Sequence, residues 1–212
     1  NKDRVNDKIM STCTSKILFL HGLDSSREST KFHAIDANHK YCIDIDYRNL
    51  TFQTVANFCH DIIVKIKPEI LVGHSLGAYW ALKMSALHKI PAIIANPSLN
   101  PSFREDYPPI SEDDLEHEIA QIAYLELGDE VLDMHAVKEQ LEPYMLVQAV
   151  EFFNQGIECN AASGCVVVRV FTYFQASGFE NADVVAPSRF AHVHSALWEV
   201  LLHKFSTPTQ SA

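Results

Sequence analysis

The chain has 212 residues, 47% apolar and 21% charged, which is enough to bury one core and excludes a disordered or fibrous chain. Its formal net charge of −10 repels phosphate backbones and argues against nucleic acid as a partner. No apolar run approaches the ~20 residues that span a bilayer, and the charged stretch Asn1 to Lys8 lacks the apolar segment of a signal peptide.

From these features we expect a soluble, cytoplasmic protein with no membrane contact. Cys13, Cys42, Cys59, Cys159 and Cys165 are scattered without a Cys-x-x-Cys pair, so they read as free thiols and give no zinc site.

Lys16 to Leu20 is a short apolar run stopped by His21-Gly22, the pattern of a buried strand. Tyr41 to Asp46 reads as a second strand with its acidic residues at the C-terminal end. Thr51 to Lys67 carries Val55, Phe58, Cys59, Ile62, Ile63 and Ile66 at helical spacing, and Pro68 ends that helix. Glu69 to Gly73 is the next strand, followed by a helix from Gly77 to about His88 with Ala78, Ala81, Leu82 and Ser85 on one face. Pro91 to Asn96 and Gln121 to Leu127 are two further strands. The alternation predicts an α/β fold with a mostly parallel central sheet and helices on both faces.

Between the last two strands, Pro97 to Ala120 is rich in proline and acid, which predicts a small polar cap over the C-terminal edge of the sheet. After Val150 the composition changes: 36 charges precede that point and eight follow it. Within one domain spanning residues 1–212, we therefore separate residues 97–120 as a cap segment and 151–212 as a divergent C-terminal region. The latter holds a strand candidate, Val166 to Phe174, and an amphipathic helix through Ala196, Leu197, Val200, Leu201 and Phe205. An unprotected strand of that kind seeks a partner, so a homodimer through the C-terminal region is expected.

Gly73-His74-Ser75-Leu76-Gly77 lies between a β-branched strand and a helix, the context of a nucleophile elbow. The chemistry needs that setting. A serine on a sharp strand-to-helix turn projects its hydroxyl from the sheet edge, and the helix N-terminus favours developing negative charge. Gly73 and Gly77 let strand and helix approach without a side-chain clash. His21-Gly22-Leu23 follows the first strand, so the backbone N–H of Leu23 pairs with that of Leu76 as an oxyanion hole. His21 reads as a structural hydrogen-bonding residue of that loop, and His74 as a pocket-lining neighbour of the nucleophile.

Taken together, His21-Gly22-Leu23-Asp24-Ser25-Ser26 with Ser29 and Lys31, the Gly73–Gly77 elbow with Tyr79, Asn96-Pro97-Ser98, and Gly128-Asp129-Glu130-Val131-Leu132-Asp133 resemble the YqiA-type esterases. These are small bacterial α/β-hydrolases, and the similarity covers roughly residues 16 to 150. The resemblance implies an α/β-hydrolase fold and hydrolysis of small or short-acyl carboxylic esters through a Ser-His-Asp triad, without a cofactor. It also places the triad acid at Asp129, just past the C-terminal end of the Gln121–Leu127 strand. Glu130 and Asp133 are its neighbours, and Asp133 suits the N-cap of a following helix.

The base has two accounts. If Met145 to Val150 is the last strand, the residues after it, Glu151 to Gly156, contain no histidine where the resembled family has one, and the base is lost or comes from a neighbouring subunit. If residues 142–157 are instead helical or irregular and Val166 to Phe174 is the last strand, His192 or His194 reaches the site in the usual order of Ser75, Asp129, His. His192 is the first candidate. His194 is the alternative and ranks second, since sharing the apolar face of Phe190, Leu197 and Leu201 suits a packed side chain better than a base. The expected function is a serine carboxylesterase; the alternatives are a binding protein that has lost its base, or a thioesterase or peptidase using the same serine.

Overall fold

A computed structural model of the chain describes residues 13–33, 35 and 37–150. Six strands occur among them: β1 (Cys13–Leu20), β2 (Ala37–Cys42), β3 (Ile70–His74), β4 (Ala92–Ala95), β5 (Gln121–Glu126) and β6 (Leu146–Val150). They lie in the order β2-β1-β3-β4-β5-β6, and every pairing is parallel. The helices are α1 (Thr30–His33), α2 (Phe52–Ile66), α3 (Leu76–His88), α4 (Glu112–Leu115) and α5 (Met134–Leu141).

Alternation along the strands divides the core into two layers. Leu18, Leu20, Leu71, Ile94, Ala123 and Leu125 face α2, α3 and α5. Ile17, Phe19, Ile70, Val72, Ile93 and Ile122 face the other way, where α1 contributes Phe32. The chain leaves β1 toward β2 on one side, and β3 lies on the other. The ends of β1 and β3 therefore flank the point where the winding reverses, the crevice in which open parallel sheets bind ligands.

Helix α2 starts at Thr51, whose hydroxyl accepts the Thr54 N–H at 3.2 Å, and ends at Lys67 in the left-handed region (φ 54°) before Pro68. Helix α3 is buried from Leu76 to Leu82 and again at Met84 and Ser85, and it exposes Leu87 near its end. The sheet covers one flank, and residues between Pro97 and Leu115 cover the other. The Tyr79 hydroxyl donates to the Pro108 carbonyl at 2.7 Å, the Lys83 ammonium meets Asp114 at 2.9 Å, and Trp80 stacks on Phe52 with ring centroids 5.0 Å apart.

Four differences from the sequence-based expectation emerge. The second strand runs from Ala37 to Cys42, four residues earlier than Tyr41 to Asp46, because beyond Cys42 the chain bonds to the loop after β1: Ile45 N–H donates to His21 Nε2 at 2.9 Å, and the Asp44 carboxylate accepts the Arg27 N–H at 2.6 Å. The Pro97–Ala120 segment is not wholly polar. It buries Leu99, Tyr107, Ile110 and Leu115 against the layer around α3, since its few apolar residues fall where that helix needs cover.

Residues 146–150 are a strand paired with β5 along Ile122 to Glu126, not part of a helical or irregular stretch. Finally, α3 begins at Leu76, one residue earlier than its sequence suggests. Asp133 does cap α5, accepting the N–H groups of His135 and Ala136 at 3.1 Å. No helix among the described residues is long and apolar enough to cross a membrane. Val166 to Phe174, His192, His194 and the closing helix lie outside the described residues.

Candidate active site

Ser75 stands between β3 and α3 with φ 55° and ψ −119°, a left-handed conformation that a side chain rarely adopts. The turn is braced from several directions. Its N–H donates to the Ala95 carbonyl at 3.0 Å, and its own carbonyl accepts from Ala78, Tyr79 and Ser98 at 3.1, 3.2 and 3.2 Å. A serine at a helix N-cap ordinarily spends its hydroxyl on the first turn. Here the side chain makes no capping hydrogen bond. The hydroxyl is thus held out of the helix by the backbone that surrounds it.

The flanking glycines explain how so tight a turn fits. A Cβ on Gly73 would overlap the backbone of Gly77 and Ala78, and one on Gly77 would overlap the carbonyls of Leu20 and His21. Gly22 is nearly as close on the opposite wall: a Cβ there would stand 3.3 Å from both the Ser75 Cβ and the His74 carbonyl. The loop after β1 therefore lies directly against the elbow. Leu23 from that loop lines a depression of about 320 Å³ together with Gly22, Ser25, Ser29, Lys31, His74 and Ser75. Leu76 is the first residue of α3, where a backbone N–H has no intrahelical acceptor.

His21 is 1% exposed and fully engaged. Its Nε2 accepts from the Ile45 N–H, which leaves Nδ1 to donate to the Gly22 carbonyl at 2.8 Å. Its carbonyl accepts the Tyr47 hydroxyl at 3.0 Å. A ring fixed in this way shapes the loop and has no nitrogen left for proton transfer. His74 lines the depression as expected, and burial, assisted by the nearby Lys31 charge, pushes its imidazole down to about 3. It is neutral at physiological pH.

Asp129 sits in the turn after β5, two strands from the elbow. Its Oδ1 accepts the N–H groups of Val131 and Leu132 at 2.8 and 3.0 Å, and its Oδ2 accepts the Asn96 amide at 3.2 Å. Asn96, at the end of β4, has φ 41° and buttresses β5 as well: its Oδ1 accepts the Glu126 N–H at 2.8 Å. Glu130 is exposed, and Asp133 is occupied as the α5 cap. Of the residues expected at the site, Ser75, Asp129, Leu23 and Leu76 lie within the described part of the chain, and His192 and His194 lie outside it.

Three residues carry more of the site than their sequence context suggested. Asn96 links the β4 and β5 ends, Glu126 is 8% exposed beneath it, and Lys31 is 5% exposed on α1. For Asn96 the sequence held a signal, since asparagine tolerates positive φ at a strand end. Glu126 could have been noticed as an acid at the last position of a buried strand. Lys31 gave no periodic signal, because α1 is only four residues long.

Similarity to known proteins follows the same outline. The chain is 28% identical to a UPF0227 protein of Shewanella sp. (strain ANA-3), over 62% of this chain and 86% of that one. The relation to the corresponding protein of Shewanella sp. (strain MR-7) is 27% over the same shares. Among solved structures, Est1E from Butyrivibrio proteoclasticus with ferulic acid bound matches with a TM-score of 0.55 at 12% identity, over 77% of this chain and 90% of that one. A CIB-like hydrolase from Thermoplasma acidophilum matches with a TM-score of 0.53 at 15% identity, over 76% and 86%. At these identities the structural likeness establishes the α/β-hydrolase fold. The uncharacterised protein family UPF0227 matches residues 16–126, just over half of the chain. From the first strand to the last residue of β5, and in the elbow between them, this chain belongs to UPF0227, the YqiA family.

Proposed function

We propose that the chain is a serine hydrolase of small carboxylic esters, with Ser75 as nucleophile, Asp129 as the triad acid and, although residues 146–150 form a strand, a base drawn from further along the chain, His192 first and His194 as the alternative. The observation that carries this reading is the Ser75 backbone at φ 55° and ψ −119°, with a hydroxyl that does not cap the helix it precedes. Such strain persists only where the surroundings over-determine it, and it is characteristic of functional turns. Solved relatives of the fold include Est1E with ferulic acid and an esterase domain from a Rhodothermus marinus protein, which supports ester chemistry here.

In the proposed reaction the Ser75 Oγ attacks the ester carbonyl carbon and gives its proton to the histidine. The N–H groups of Leu23 and Leu76 receive the developing oxyanion. The histidine then protonates the departing alkoxide, so the alcohol leaves and an acyl-serine remains. Water repeats the sequence, and the carboxylic acid is released with the serine restored. Asp129 fixes the tautomer of the imidazole and stabilises its charged form without taking the proton.

A fluorophosphonate probe should label the wild-type chain and fail to label Ser75→Ala, with acetate-ester turnover lost in parallel. His192→Ala should lower the rate by at least about a hundredfold. Labelling that survives Ser75→Ala, or a wild-type protein that neither labels nor turns over, would overturn the assignment. A large loss in His194→Ala alone would move the base to His194.

A further inference from the structure

Lys31 is the least expected side chain near the nucleophile. Lysine is almost never buried unless paired, yet Lys31 is only 5% exposed. Among the described residues none of the ion pairs uses its ammonium. It lines the same depression as Ser75, together with Ser25, Ser29 and the neutral His74.

The surrounding charges are arranged asymmetrically. Glu126 and Asp129, at the end of β5, are close enough to act on the Lys31 charge but do not line the depression. Asp24 does line it, but its carboxylate is engaged by Arg48, whose Nη2 donates to Oδ2 at 2.6 Å. Glu28 and Asp44 do not line it, and both pair with Arg27, at 3.6 and 3.5 Å. The depression beside Ser75 is therefore lined by Lys31, Ser25, Ser29 and His74, and the one acidic residue on its lining, Asp24, is paired with Arg48.

We infer that this depression binds the anionic end of the substrate: the ester attacked by Ser75 carries a carboxylate a short distance away on its acyl side, received by the Lys31 ammonium and the Ser25 and Ser29 hydroxyls. The inference rests on the serine-hydrolase reading and names the substrate class within it. A hydrogen bond to a charged group is worth roughly ten- to hundredfold in affinity, enough to decide substrate choice. Burial pushes Lys31 down to about 8, against the raising influence of Glu126 and Asp129. The receptor is thus charged at pH 7 and discharges as the pH rises through that value, while the substrate carboxylate stays ionised throughout.

The test compares two esters of one shape, methyl hydrogen succinate and methyl succinamate, followed by pH-stat with the full chain. For the wild type at pH 7, kcat/KM for the succinate should exceed that for the succinamate by at least about tenfold. The ratio should collapse toward one between pH 7 and 9.5, through KM more than kcat. Lys31→Met should bring the ratio to about one at pH 7, and Lys31→Arg should retain most of it. Circular dichroism and thermal melts identify any Lys31→Met protein that fails to fold, in which case Lys31→Arg and the pH series decide. A wild-type ratio near one, or a ratio that survives folded Lys31→Met, overturns the inference while leaving the hydrolase reading intact. Failure of the wild type to hydrolyse either ester, together with no fluorophosphonate labelling, overturns the hydrolase reading itself.

Discussion

Acid should unfold this protein partly through one imidazole. His74 is held at about 3 in the fold, against the ordinary 6.5 of an exposed histidine, chiefly because burial penalises its charged form. Above pH 6.5 the folded and unfolded chains both carry a neutral His74, and its contribution is constant. Below that point the unfolded chain binds a proton that the folded chain refuses, so stability falls by about 1.4 kcal/mol per pH unit. Between pH 7.5 and 4.5 the loss from this residue is therefore about 2.7 kcal/mol, out of a typical 5–15 kcal/mol for a domain.

Other histidines and carboxyls titrate over the same range, so the comparison needs a variant that keeps the shape and lacks the titration. His74→Gln serves, since its amide can replace a ring nitrogen. Urea denaturation of both proteins at pH 7.5 and 4.5 gives four stabilities. The wild type should lose about 2 to 3 kcal/mol more than His74→Gln across the interval. Equal losses would refute the reasoning, as would an NMR titration showing the His74 ring protonating near 6.

Gly77→Ala drives a methyl into the Leu20 and His21 carbonyls, both backbone atoms, so it should destabilise the chain by at least about 2 kcal/mol in chemical denaturation. Asp129→Asn can keep the Val131 and Leu132 bonds on its oxygen, but turns an amide toward the Asn96 amide. Ester turnover should fall by about 10³- to 10⁴-fold with the melting profile nearly preserved; a smaller loss would point to another acid. Asn96→Gly accommodates the φ of 41° and removes only the side chain that joins β4 to β5. It should cost about 1 to 3 kcal/mol and lower kcat, measured by urea melts and ester assays; unchanged stability would show that the Asn96 bridge is dispensable.

The sheet and the elbow were legible in the sequence for a simple reason. Buried parallel strands such as Ile70 to Gly73 are continuous apolar runs, and the serine turn needs glycine at two fixed positions on either side. Harder to read were features decided by contacts between distant segments. Nothing local tells Cys42 to end its strand; that follows from His21 capturing the Ile45 N–H. The apolar residues between Leu99 and Leu115 looked too few for core, yet Leu99, Tyr107, Ile110 and Leu115 join the same buried layer as most of α3. Lys31 was visible only as part of a motif, and its role became readable once its burial beside Ser75 was known, because a four-residue helix shows no periodic face.

The acid illustrates what early ordering accomplishes. Among the described residues, Asp129 is hydrogen-bonded by its own turn and by Asn96, with one oxygen taking two backbone donors and the other an amide. No part of that scaffold comes from a histidine. The entropy of fixing the carboxylate is met by the folding of residues 96–132, so whichever imidazole arrives finds a socket with its direction already set. On the proposed reading, the base has only to be brought to a carboxylate whose direction is already set.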